Sequence, residues 1–172
     1  MRRCGAHLIE IKRGPALSAT VAGHPHRIRR NAMKVLLSYD GSECSDRAVK
    51  FVATTLRKQT PDLKLDVIYV DMPMLDRVVA TLGEETVARL HRENADLVLK
   101  GLRTRLKRAE LPFTEIVATG PVARKIGEYA EKGRYDMVVM GSHGRSAAGN
   151  LFLGSVATRV LVECKVPVLI VR

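Results

Sequence analysis

The chain has 172 residues, 46% of them hydrophobic and 27% charged, which excludes wholesale disorder and collagen-like repeats and gives a single domain enough apolar material to build a core without staples. No apolar run approaches the roughly 18 residues of a membrane span, and three cysteines without metal-ligand spacing (Cys4, Cys44, Cys164) fit a reducing, cytoplasmic setting. The net charge is +11, yet residues 1–32 hold seven basic side chains against the single acid Glu10, and there is no Trp and only 4% aromatic residues. Most of the excess charge therefore sits on a leader, and the rest lacks the aromatic faces of a base-stacking platform, so no specific nucleic-acid partner is expected.

Residues 1–32 read as a basic leader, a disordered or upstream-start extension ahead of Met33. Residues 33–172 read as one folded domain. Val35-Leu36-Leu37 is a buried strand ended by Asp40-Gly41. Ser42 or Ser45 caps the next helix, whose stripe is Val49, Val52, Ala53 and Leu56. Pro61 ends that segment. Leu65 to Val70 is a second strand. A long helix covers Glu84 to Ala109, with Ala95, Val98, Leu99, Leu102 and Leu106 at three- and four-residue steps and basic residues in its last turns, where they suit the helix dipole. Phe113 to Ala118 is a third strand. Pro121 opens a helix and Gly133 stops it. Asp136 to Met140 is a fourth strand, Leu153 to Cys164 a helix, and Pro167 to Val171 a fifth strand. Strands broken by helices, with few alternating polar positions, imply an α/β fold: an open parallel sheet covered on both faces.

Ligands of such sheets bind beyond the carboxyl ends of the strands, at the switch in strand order. The sequence there is Gly141-Ser142-His143-Gly144-Arg145, then Gly154-Ser155 at a helix start. Glycine permits positive φ and lets N–H groups approach an anion with no Cβ in the way. A helix N-terminus adds unpaired N–H donors. Ser155 adds a hydroxyl, and Arg145 suits a bidentate fork on phosphate. Asp40 is placed to accept from ribose hydroxyls or an adenine amino group, with Val70 against the base. Asp71 is the candidate for a water-bridged Mg2+. Neither a Gly-x-x-x-x-Gly-Lys-Ser/Thr loop nor Gly-x-Gly-x-x-Gly occurs. His143 lacks a carboxylate neighbour in sequence to orient it as a base, and no catalytic residue or metal cage stands out.

The segments KVLLSYDGSECSDRAV, GPVARKIGEYAE, YDMVVMGSHGRS, GNLFLGSVATRVL and VPVLIVR together resemble the universal stress protein family, in its ATP-binding branch. The resemblance implies a Rossmann-like five-stranded parallel sheet in the order 3-2-1-4-5. It implies that Gly141, Ser142, His143, Gly144 and Arg145, with Gly154, Ser155 and Val156, hold the phosphates and ribose of ATP, with Mg2+. Ser38, Asp40 and Val70 would hold the adenosine end. It also implies a homodimer through Val166–Arg172, an as yet unknown protein partner, and a stress-response switch that hydrolyses ATP slowly or not at all. The alternative within the same fold is a dimeric interaction module that binds no nucleotide. Tyr39 departs from the small or β-branched residue usual before the aspartate, so its ring is expected either in the core or narrowing the adenine pocket.

Overall fold

The computed structural model describes residues 32–145 and 153–172. The leader, and the part of the glycine-flanked loop at 146–152, lie outside the described residues. Five strands form one parallel sheet: β1 (Lys34–Ser38), β2 (Lys64–Asp71), β3 (Phe113–Thr119), β4 (Met137–Gly141) and β5 (Val168–Val171), in the order β3-β2-β1-β4-β5. The chain steps from β1 outward through β2 to β3, then returns to the other side of β1 as β4. The carboxyl ends of β1 and β4 are thus neighbours at the switch point, in register Leu37↔Val139 and Ser38↔Met140.

The apolar strands are continuous because both faces are covered. Val35, Leu37 and Tyr39 of the first strand and its exit, with Val67, Tyr69 and Val139, pack against helix α1 (Glu43–Phe51) and the long α4 (Glu84–Arg108) through Val49, Leu99, Leu102 and Leu106. Leu36, Ile68, Val138 and Met140 face the other way, onto α5 (Val122–Lys132) and α6 (Ser155–Glu163) through Ile126, Ala130, Ala157 and Val160. Leu36, Leu37, Ile68, Leu99 and Ile126 are fully buried, each stabilising the fold by about 1.5–3 kcal/mol relative to exposure.

Three local features differ from the sequence reading. After Phe51 the helix widens into a π-helical segment, Val52–Leu56, before the single turn α2 (Arg57–Gln59). An additional helix, α3 (Asp76–Leu82), precedes α4. It has no buried residue, and Met72 and Leu75 before it are exposed, so no burial periodicity marks it. Gly133 does follow α5, but its φ is −79° and the left-handed residue is Arg134 at φ 51°. Glycine is required at 133 for space instead: a Cβ there would stand 2.2 Å from the Tyr135 ring.

The turn between β1 and α1 matters most for the site. Gly41 takes φ +80°, which L side chains rarely adopt. The Asp40 carboxylate accepts from the Ser42 amide at 3.0 Å. Ser42 is the cap of α1, its Oγ accepting from the Ser45 amide at 3.2 Å.

Candidate functional site

A cavity of about 230 Å³ opens at the carboxyl ends of β1, β2 and β4, on the α5/α6 side of the sheet. Nine of the residues expected from sequence line it: Ser38, Asp40, Val70, Gly141, His143, Gly144, Gly154, Ser155 and Val156. They are joined by Ser45, Val122, Met140 and Ala157. Val122 and Ala157 lie on the inner faces of α5 and α6, so sequence periodicity assigns them to the core. They form the end of that core, where the stripe runs out into the crevice. Val70 and Val122 give the cavity apolar walls, while Ser38, Asp40 and Ser155 add polar groups.

Two helices point their N-termini here without a side-chain cap. Gly154, which precedes α6, has no side chain, and Pro121, which precedes α5, has no capping group. The first intrahelical bonds are Thr158 N to the Gly154 carbonyl and Lys125 N to the Pro121 carbonyl, both 2.9 Å. The amides of Ser155, Val156 and Ala157 precede that bond in α6, and all three residues line the cavity. Such amides, with the positive end of the helix dipole, accept an anion.

The glycines of the motif serve by their lack of a side chain, not by positive φ. None of Gly141, Gly144 and Gly154 is in the left-handed region. A Cβ on Gly141 would lie 2.6 Å from the Cys44 carbonyl carbon, so the end of β4 packs directly on the start of α1. One on Gly144 would lie 2.8 Å from Asp40 Oδ2. One on Gly154 would lie 3.2 Å from His143 Cα, where the Gly154 amide donates to the Ser142 carbonyl at 2.8 Å and closes the neck of the loop.

Ser142 and Arg145 stand apart from the other expected residues. Ser142 is buried beside the cavity; its amide donates to Val171 and its hydroxyl faces Cys44 Sγ at 3.8 Å. The Arg145 side chain turns back to the α4 face of the sheet, where its Nε donates to the Asp40 carbonyl. His143 lies in the cavity wall, its Nδ1 3.1 Å from Ser142 Oγ. Tyr39 is in the core: its hydroxyl donates to Asp46 at 2.9 Å, and burial together with the Asp46 charge pushes its pKa up to about 12. The ring does not narrow the cavity.

Asp71, the Mg2+ candidate, is held by protein groups on α4 and by the next backbone amide. Its Oδ2 receives Asn94 Nδ2 at 2.9 Å and lies 2.8 Å from His91 Nδ1, while Oδ1 accepts from the Met72 amide. Burial raises its pKa, but the hydrogen bonds from His91 and Asn94 outweigh burial and hold it below the usual carboxylate value. Asn94 also donates to the Tyr69 hydroxyl at 2.9 Å; burial and the Asp71 charge push that phenol up to about 12. This cluster is legible in sequence only as polar residues, His91 and Asn94, on a helix stripe that is otherwise apolar. Among the described residues no group of three His, Cys, Asp or Glu side chains is arranged to hold a metal ion.

An open, doubly wound α/β sheet with a crevice at its switch point, where an uncapped helix start meets the Asp40 turn, is thus the class of protein the fold and site define. A family model described as the universal stress protein family matches residues 31–172, and the chain belongs to that family. The universal stress protein MJ0531 of Methanocaldococcus jannaschii is 31% identical over 140 residues, spanning 81% of each chain. The solved structure of MJ0577, a universal stress protein of the same organism, superposes with a TM-score of 0.65 at 24% identity, covering 81% of this chain and 95% of that one. A universal stress protein crystallised in complex with cAMP superposes with a TM-score of 0.56 at 25% identity, covering 81% and 96%. No described helix is long and apolar enough to cross a membrane.

Proposed function

We propose that this protein binds ATP in the switch-point cavity and acts as a nucleotide-dependent regulatory switch of the stress response. The observation that carries the reading is the cavity itself. The uncapped start of α6 and the bare backbone at Gly144 and Gly154 meet Asp40 and the apolar Val70 and Val122 in one crevice. The base lies between Val70 and Val122, Asp40 accepts from the ribose hydroxyls, and the phosphates lie along Gly141–Gly144 and the amides of Ser155 and Val156. The cAMP complex of a relative supports an adenine nucleotide as the ligand class. Mg2+, if bound, would be held by the nucleotide's phosphates and not by a protein cage, since no described group of three His, Cys, Asp or Glu side chains could hold it, and would offset phosphate charge there.

Hydrolysis is slow or absent: among the described residues of the cavity wall no committed general base stands out, and His143 Nδ1 lies 3.1 Å from Ser142 Oγ. The switch acts in the cytoplasm as a homodimer through Val166–Arg172, with a protein partner reading the loop between Gly141 and Gly154. Within β5 the four residues Val168–Val171 are half-buried and pair with β4 on one side only, and an apolar edge invites a second copy. The direct check is to purify the full chain from cells, denature it and chromatograph the supernatant. Stoichiometric adenine nucleotide supports the reading. Protein that carries none, and takes up none when offered ATP, refutes it and leaves the dimeric interaction module.

A further inference from the structure

We infer that Arg145 is a positioning residue for the nucleotide site: from the α4 face of the sheet it braces the Asp40–Gly41 turn against Val98 and does not touch the ligand. The inference rests on the reading of the cavity given above. It starts from a buried polar cluster that the cavity does not use and from an arginine on the wrong side of the sheet for a phosphate.

Arg145 directly follows Gly144, which lines the cavity, yet its side chain leaves in the opposite direction. Its Nε donates to the Asp40 carbonyl at 2.5 Å. A Cβ placed on Gly41 would lie 3.5 Å from the guanidinium and 3.2 Å from Val98 Cγ1, so the turn is clamped between Arg145 and α4. On the same face of the sheet the Tyr69 hydroxyl is fixed by Asn94, and the Arg145 charge offsets part of the rise in its pKa. Asn94 is fixed by Asp71, and Asp71 by His91. From α4, therefore, His91 and Asn94 fix Asp71 and Tyr69, and beside them the Arg145 guanidinium holds the backbone of Asp40. On the cavity side the Asp40 carboxylate has the Ser42 amide and the bare backbone of Gly144 beside it. Its aim at a ribose is set by the turn that Arg145 holds. An ammonium cannot replace this brace, because lysine has no Nε–H fork.

The test uses full-length protein, with Arg145→Met and Arg145→Lys beside the wild type. Adenosine, AMP and ATP are titrated in turn, and amide hydrogen exchange at Ser42 and Ser45 is followed without ligand. Both variants are expected to bind all three ligands roughly tenfold more weakly, the order of one lost charge-assisted hydrogen bond. They are also expected to exchange those two amides faster. A loss that grows from adenosine to ATP and is rescued by lysine means that Arg145 grips phosphate, and overturns the inference. So does unchanged exchange. If the wild type binds none of the three ligands, the nucleotide reading fails, while the exchange measurement still decides the brace. Should the Arg145 variants not fold, Val98→Ala removes the other side of the clamp on the Gly41 turn and is expected to speed exchange at the same amides by a smaller factor; no change there overturns the inference.

Discussion

Gly144 stands 2.8 Å, measured from a hypothetical Cβ, from the carboxylate of Asp40. Any side chain at 144 must push that carboxylate off its aim and strain the bond it accepts from the Ser42 amide, while the Ser42 cap on the Ser45 amide stays in place. Gly144→Val is therefore expected to weaken ATP binding roughly a hundredfold, the order of two lost polar contacts, with little change in thermal midpoint. Calorimetry and differential scanning fluorimetry on the same sample check both parts. Asp71 makes a different kind of prediction. Its folded pKa is lowered, so its contribution to stability is complete above the unfolded carboxylate value and is lost as pH falls through the folded one. Asp71→Asn should lower stability near neutrality and flatten the loss on acidification below about pH 4, the ordinary aspartate range. Urea midpoints taken from pH 7 downward for both proteins reveal it. Equal slopes for the two proteins contradict the assignment.

At the scale of elements, the packing of β4 on α1 depends on Gly141, where a Cβ would meet backbone and not a movable side chain. Gly141→Ala forces strand and helix apart and is expected to destabilise the protein by about 1–3 kcal/mol, the usual penalty of overpacking, read as a lowered denaturant midpoint. The opposite fault, a cavity, is made by Leu102→Ala on α4, which is fully buried; about 2–5 kcal/mol is expected. Residue periodicity made most of these elements legible. All five strands and the helices α1, α4, α5 and α6 occur where apolar runs and three-and-four spacings put them, with ends shifted by a residue or two. What periodicity missed has physical reasons. Helix α3 buries nothing. The π-helical widening at Val52–Leu56 leaves Val52 and Leu56 on the same buried side, so the stripe looks unbroken. The direction of Arg145 depends on the Asp40–Gly41 turn and α4, which are distant in sequence, and a motif read along the chain aims it at phosphate. Gly141, Gly144 and Gly154 are legible as a motif, but their role in close packing shows only once α1, Asp40 and the loop neck surround them.

For the whole molecule, the sheet order brings two helix starts and the Asp40 turn to one crevice, which is the feature the nucleotide proposal rests on. The second whole-molecule expectation concerns assembly. Ile170→Lys places an ammonium on the half-buried edge strand β5, so analytical ultracentrifugation should find a dimer for the wild type and a monomer for the variant. Identical sedimentation of the two refutes the edge-strand dimer while leaving the cavity unaffected. The cavity itself is tested most directly by isothermal calorimetry of the full chain with ATP and Mg2+. The expected result is saturable binding of one nucleotide per chain with a matching rise in thermal midpoint; no heat and no shift at millimolar ATP would contradict it.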